Sequence, residues 1–371
     1  LYRLARLPLP ILTPMTASEF VETRSRRDAR PREVTVSVVV PAHDYGRYLG
    51  QAIDSLRRQV DVDWECVVVD DGSTDDTAEV VAALAAADSR ITYLSQAASG
   101  PSAARNAGLA VASGEFVQFV DADDYLGPRK LAHQLEVFGQ HPQADIVYGG
   151  VRYFADDDLD DAARPAEFGR LEASTARAVS GAGESILAAL VDDNFMVVES
   201  PLIRRSLLQR VAGFDPRIRR MEDWELWLQF ALSGAFFQFD GAAEDDSLPH
   251  VRVHRSSSSQ DQVAMHRAAV RVRARVENQL PTPELRRLNR KRIHEHLAVI
   301  GMLEGFGGHL AYGMRYLLKA GFAERRLKWL AWAVAMPAAR VPLGRRAIDR
   351  LRGFFARRRG EEVREWHAEW R

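Results

Sequence analysis

Cysteine occurs once in the 371 residues, at Cys66, which excludes an internal disulfide and fits a reducing compartment. Cys66 sits inside the apolar run WECVVV, where a buried structural thiol is expected rather than a nucleophile. Lysine is scarce too: Lys130, Lys291, Lys319 and Lys328 are four among 50 basic residues, a compositional bias that leaves Arg to carry nearly all the positive charge. Neither sign of charge is in excess. The 50 Lys and Arg face 51 Asp and Glu for a formal net charge of -1, so no basic field argues for a nucleic-acid partner. Apolar runs of about 18 or more residues are absent, as is a repeat of fixed period, so neither a spanning helix nor a solenoid is expected. The opening LYRLARLPLPILTP is too short and too proline-broken for a signal peptide; ahead of Met15 we expect a floppy extension or residues foreign to the native protein.

What is present is enough apolar residue, 46%, to bury the core of one large domain with an appendage. Between 34 and 154, β-branched runs alternate with helical-period segments, the pattern of a mostly parallel sheet flanked by helices. Strands are expected at VTVSVVV, WECVVVD, ITYLSQ, FVQFVD and DIVYGGVRYF. Leu49, Ile53, Leu56 and Val60 give one apolar helix face, and a second helix should start at Pro101 and stop at Gly114. The acidic stretch 155–167 reads as an exposed loop. Helices follow at ESILAALV, RRSLLQRV and DWELWLQFALS, then short strands through VRVHR, and beyond Ser259 the pattern is helical. The division is therefore a flexible extension over 1–33, an α/β domain over 34–260 whose halves meet near 154, and a helical extension over 261–371.

In open parallel sheets, ligands bind beyond the carboxyl ends of the strands. PAHDYG, DDGSTDDT and DADDYL follow three of the strands directly. Asp70 and Asp71 suit an imide N–H and a ribose hydroxyl, Asp71 being the functional choice, while Asp75 and Thr77 read as helix caps. Asp121 and Asp123, two residues apart, point to one side of an extended chain and fit a hard divalent cation, Mn2+ or Mg2+. Such a cation would offset the charge of a departing diphosphate, each close charge pair being worth about 4 kcal/mol at an effective dielectric of about 20. A phosphatase of the haloacid-dehalogenase type also carries an Asp-x-Asp pair, but after its first strand. PAHDYG offers only Gly46 where a dinucleotide fingerprint needs three glycines. Arg105 reads as a fork for phosphate or ribose or, equally, as an exposed helix Arg. Glu222 and Asp223 stand immediately before an amphipathic helix, where a carboxylate is either an N-cap or the base that deprotonates an attacking hydroxyl. His254 reads as a third metal ligand, a phosphate contact or a structural histidine.

With these residues in hand, the chain resembles glycosyltransferase family 2. The resemblance spans about Val36 to His254 and rests on VSVVVPAHDYGRYLGQAIDSLRRQ, ECVVVDDGSTDDT, SGPSAARNAGLAVASGEFVQFVDADDYL and GFDPRIRRMEDWELWLQF, in that order. It implies an α/β fold of GT-A type with inverting transfer of a sugar from a nucleotide-sugar donor, uridine-based first and thymidine-based next, to an acceptor hydroxyl. Pro41, Ala42, His43, Asp44 and Asp71 would hold the nucleoside, with Arg105 and Asp121 also on the nucleotide-sugar. Asp121, Asp123 and His254 would hold the metal, Asp223 would be the general base, and Glu222 and Trp224 would face the acceptor. His43 and Asp44 depart from the family's usual aromatic residue and Asn.

The tail sets Trp329, Trp332, Phe354 and Phe355 among dense Arg, as an interfacial amphipathic anchor does, or as a helical appendage with a solvated basic face. We therefore expect a cytoplasmic enzyme of cell-envelope polysaccharide or glycolipid synthesis, peripheral to the inner membrane face, with a carbohydrate or lipid-linked acceptor. The competing readings are a non-catalytic nucleotide-sugar binder and a sugar nucleotidyltransferase.

Overall fold

The computed structural model of the chain describes residues 21–23, 34–156, 173–174, 177–254 and 257–335. Its centre is a mixed sheet built from valine-rich strands whose residues are buried on both faces, as expected where helices cover a parallel sheet. A short strand β1 (Val21–Thr23) runs antiparallel to β4, so these three residues of the stretch read as a flexible extension instead cover a sheet edge. β2 (Val36–Ala42), β3 (Trp64–Asp70), β4 (Ile91–Ser95) and β5 (Phe116–Phe119) are parallel, in the spatial order β4-β3-β2-β5. The chain thus reverses its direction of growth between β2 and β5. A crevice opens at such a point beyond the strand ends, and here it is flanked by PAHDYG on one side and DADD on the other.

The crossovers are α1 (Gly46–Arg57), α2 (Thr77–Ala87) and α3 (Pro101–Val111). Leu49, Ile53 and Leu56 of α1 pack on Val36, Val38 and Val40, the residues of β2 that point to one face. Val60 lies beyond the end of α1 and is 40% exposed, so it does not belong to that apolar face. Helix α3 starts at Pro101 as expected, but it ends at Val111, ahead of Gly114. Gly108 lets α3 close on the sheet: a methyl there would stand 2.4 Å from Val39 Cγ1 and 3.2 Å from Val69 Cγ2.

Next come β6 (Tyr125–Leu126), α4 (Lys130–Gln140), β7 (Ile146–Gly149) and β8 (Val151–Ala155). DIVYGGVRYF is therefore two strands. The chain breaks at Gly150, β7 staying in the large sheet and β8 entering a small one with β9 (Ala173–Ser174) and a later strand. Of the stretch read as an exposed acidic loop, Ala155 ends β8 and Asp156 is tied to Tyr48 and Arg252; the rest lies outside the described residues. The second half runs through α5 (Glu184–Asp192), β10 (Leu202–Arg204), α6 (Arg205–Arg210), α7 (Glu222–Leu232), β11 (Phe237–Asp240) and β12 (Pro249–Val253). β10 joins β5 and β7 in antiparallel fashion, which extends the sheet past the crevice. β12 completes the small sheet between β6 and β8.

Helices α8 (Gln262–Val276), α9 (Pro283–Phe306), α10 (Leu310–Glu324) and α11 (Leu327–Ala335) follow, in line with the helical reading beyond Ser259. The main core does not stop at residue 260. Ala269, Val272 and Val276 of α8 and Leu285 of α9 pack with Leu190, Trp224 and Trp227. Only the far part of α9, with α10 and α11, forms a separate apolar cluster.

Candidate active site

The side of the crevice expected to hold the nucleoside is built from strand ends tied by backbone donors. Asp44, at φ 59°, accepts from Thr74 N at 2.6 Å and Asp75 N at 3.2 Å, and its own N–H donates to Ser73 Oγ. The Thr74 amide, its largest influence, holds this carboxyl below the usual range. Asp75 accepts from Thr77 N and from Gly46 N, so the residue expected to cap α2 serves the start of α1 as well. His43 donates from Nδ1 to the Asp71 carbonyl at 2.9 Å, and its Nε2 lies 3.9 Å from Asp44 Oδ2. Ala42 is buried, with its carbonyl accepting from Asp71 N; it shapes the sheet and offers no side chain to a ligand.

Asp71 accepts three hydrogen bonds of 2.7 Å, from Gln96 Nε2, Ser99 N and Gly100 N. A carboxylate has about four acceptor positions. One is therefore left for a ligand, and the first duty of Asp71 is to hold the loop that starts α3.

DADD is a turn rather than a strand end: β5 stops at Phe119, and Asp124 N donates to the Asp121 carbonyl. Arg105, read as a fork for phosphate or ribose or as an exposed helix Arg, is not exposed. It is 2% exposed, donating from Nη2 to Asp121 Oδ1 at 2.6 Å and from Nη1 to Glu222 Oε1 at 2.7 Å. Burial works against its charge, but the two carboxylates overcome it and raise its pKa. Behind this bridge, Asp121, Asp124 and Glu199 bring carboxylate oxygens within 4.8 Å of one another. Burial first, then neighbouring carboxylates, hold Asp124 and Glu199 well above the usual range. Such a knot of hard oxygen donors is relieved by a proton or a hard divalent cation, so the donor chemistry fits the expected metal.

Asp123 points elsewhere, with its Oδ2 2.9 Å from His254 Nε2. His254 is buried and stands behind a carboxylate, the arrangement that orients a ligand, and its Nε2 would have to give up Asp123 to bind a cation itself. Tyr45 and Tyr48 pack around the ring, and with His43, Asp44, Arg47 and His254 they line a cavity of about 270 Å3. Burial and then Asp123 push the Tyr45 hydroxyl up; burial and then Asp156 push Tyr48 to about 12.

On the side expected to face the acceptor, Glu222 and Asp223 are the first residues of α7 rather than the loop before it, following Met221 at φ 60°. Asp223 accepts from Trp224 N at 2.6 Å and, at 3.5 Å, from Asn194 Nδ2. Burial, then the charge of Glu222, push its carboxyl up to about 7. Glu222 is committed to Arg105. Trp224 is 2% exposed with Nε1 on the Leu190 carbonyl, so it cannot touch an acceptor.

A family model described as glycosyl transferase family 2 matches residues 37–187. Residues 37–187 are therefore similar to the glycosyl transferase family 2 domain. An uncharacterized glycosyltransferase of Nostoc sp. is 43% identical over 122 residues, 33% of this chain and 36% of that protein. Glycosyltransferase GlyG of Streptococcus pneumoniae is 36% identical over 126 residues, covering 34% and 41%. The chain thus spans well under half the length of these relatives. In three dimensions it is similar to residues 1–349 of S. aureus TarS in complex with UDP, with a TM-score of 0.55 at 18% identity over 82% of this chain and 88% of that one. It is also similar to the mannosyltransferase PcManGT of Pyrobaculum calidifontis in complex with GDP-Man and Mn2+, with a TM-score of 0.51 at 20% identity over 84% and 90%. The likeness is one of fold, the GT-A fold expected from the motifs.

Sequence reasoning missed Asp124, Glu199 and Asn194. Glu199 had a signal: it is the one acid inside FMVVESPLI, an otherwise uncharged run.

Proposed function

We propose that the protein is an inverting glycosyltransferase, moving a sugar from a nucleoside-diphosphate sugar to an acceptor hydroxyl. The observation that carries this reading is the Arg105 bridge, which joins the acidic turn after β5 to the start of α7, where Asp223 is poised near neutrality. Asp223 takes the proton of the acceptor hydroxyl as that oxygen attacks the anomeric carbon. The bond from that carbon to the diphosphate oxygen breaks on the opposite face, which inverts the centre. A base with a pKa near the working pH combines a useful ionised fraction with adequate basicity. Asp121 and Asp123, supported by His254, with Asp124 and Glu199 adjoining, would hold Mn2+ or Mg2+, which supplies neutralisation of the leaving diphosphate. Asp44, Asp71 and His43 shape the nucleoside corner together with Pro41.

A uridine donor is favoured, with thymidine next, because the last acceptor position of Asp71 suits an imide N–H; UDP bound to the similar TarS fold supports this, and GDP-Man on PcManGT marks the alternative. Calorimetric titration with UDP, dTDP and GDP, with and without Mn2+, tests the donor site. Cation-dependent UDP binding that collapses in Asp123→Ala is expected. If none of the nucleotides binds, the catalytic reading falls and a degenerate, non-catalytic homologue takes its place.

The acceptor we propose is lipid-linked or polysaccharide, met at an anionic membrane surface on the cytoplasmic side. No helix among the described residues is long and apolar enough to cross a membrane. Trp329 is buried and Trp332 packs on Phe306, so they are not the anchor; Phe354 and Phe355 lie outside the described residues. The support comes from Tyr312, Arg315, Lys319 and Phe322, spaced three or four apart on the exposed face of α10, with Leu327, 80% exposed, beyond them. Phe322→Ser with Leu327→Ser should weaken co-sedimentation with phosphatidylglycerol vesicles at low salt. Unchanged binding, or none by the parent protein, removes the membrane from this reading.

A further inference from the structure

Arg273 lies in α8, outside the stretch matched by the family, and is the most deeply buried cation among the described residues of the helical extension. It is 1% exposed. Its Nη1 donates to the Val191 carbonyl at 2.5 Å and its Nη2 to the Asp192 carbonyl at 3.1 Å, the last carbonyls of α5. A cation at a helix C-terminus answers both the unpaired carbonyls and the negative end of the dipole. The same guanidinium lies 4.6 Å from the ring centroid of Trp224, whose indole N–H donates to Leu190 O, one residue earlier on α5. Trp224 and Arg273 therefore form one stacked plug in the end of α5. From α9, Asn289 holds Arg273 in turn, accepting from Nη1 at 3.3 Å and donating to its carbonyl at 2.9 Å.

The residues on either side of this plug are the ones that fix the base. Asp223 precedes Trp224 in the chain, and Asn194, which donates to Asp223, is the second residue past α5. We infer that Arg273 is a positioning residue, through which helices α8 and α9 set the orientation of Asp223 toward the acceptor. The inference rests on the reading of Asp223 as the base. It makes the helical extension part of the acceptor half of the active site, with no share in holding the donor.

The test compares Arg273→Met, Arg273→Lys and Asp223→Asn in the full chain. UDP affinity is measured calorimetrically with Mn2+, and UDP release is followed from whichever of UDP-glucose, UDP-galactose and UDP-N-acetylglucosamine the parent protein turns over. In Arg273→Met we expect kcat to fall about 100-fold, the cost of displacing a catalytic group by about 1 Å. UDP affinity should stay within about twofold of the parent and Arg273→Lys should recover part of kcat, since the loss is of transition-state geometry and not of ground-state binding. Unchanged kcat in folded Arg273→Met overturns the inference, and so does loss of UDP affinity in step with kcat, which marks a role in overall structure only. Should Arg273→Met fail to fold, Trp224→Phe decides: it removes the Leu190 bond and narrows the ring under the guanidinium, and unchanged kcat there overturns the inference equally. If Asp223→Asn keeps full turnover, the base reading fails, separately from the question of what Arg273 positions.

Discussion

The two sides of the crevice carry similar acids on unlike supports. On the donor side, Asp44 and Asp71 are held by backbone amides 30 and 29 residues along the chain, within one crossover. On the acceptor side, Glu222 depends on Arg105 at a separation of 117 residues, and the α5 end beneath Trp224 depends on Arg273 at 82. Backbone donors leave little room for variation, because every residue but proline supplies one. Side-chain partners must be specified one at a time. Asp44 thus leans on backbone amides that almost any residue supplies, whereas the Glu222 bridge requires Arg105 itself.

Substitutions can break this contrast or sharpen it. The largest effect is expected from Asp223→Asn: kcat for UDP release should fall about 1,000-fold, within the usual range for loss of a general base, while calorimetry finds UDP binding intact. Equal loss of both would merge the two sides into one unit. Arg105→Met comes next, because it strands Asp121 and Glu222 together; urea unfolding should report a loss of about 3 kcal/mol or more, as for other broken buried ion pairs. A loss confined to activity would show that the bridge serves chemistry alone.

The dependence on pH follows from Asp223. Its carboxyl is pushed up to about 7, so the base form appears only as pH rises, and kcat/KM should fall about tenfold per unit on the acid side of that value. Stability runs the other way: below the unfolded value of about 3.9 the group costs the folded state nothing, and the cost grows as pH climbs toward 7. Asp223→Asn should therefore gain stability over the parent at about pH 8, with the gain gone at about pH 4. A smaller effect closes the series. Burial pushes the Cys66 thiol up and keeps it protonated, so iodoacetamide should label it in urea and leave the native protein untouched.

The same contrast governs what could be seen in the sequence. β2 and β3 were legible because a run of valines between turn residues has few other uses, and β5 showed as the short apolar run FVQF; PAHDYG and DDGSTDD then fell at strand ends, and DADD in the turn beyond β5. Pro101 announced α3, since proline at the first helical position costs nothing. The break at Gly150 was missed because both strands it divides share a period of two, although the paired glycines at 149 and 150 were a signal. Arg105 could not be recognised as buried: helical spacing puts it on α3 but cannot say that the facing acids arrive from residues 121 and 222. Trp224 was placed beside the acceptor through its neighbours, and only the indole's reach to α5 shows that it is buried.

Gly108 acts as a shim. Its missing methyl lets α3 rest on Val39 and Val69, and Arg105 stands on that helix three residues earlier, so the clearance beneath the glycine also sets the height of the guanidinium above the sheet. Thickening the shim with Gly108→Ala would tilt a strut that spans the cleft, and the two walls would lose their common level without any charged group having been touched.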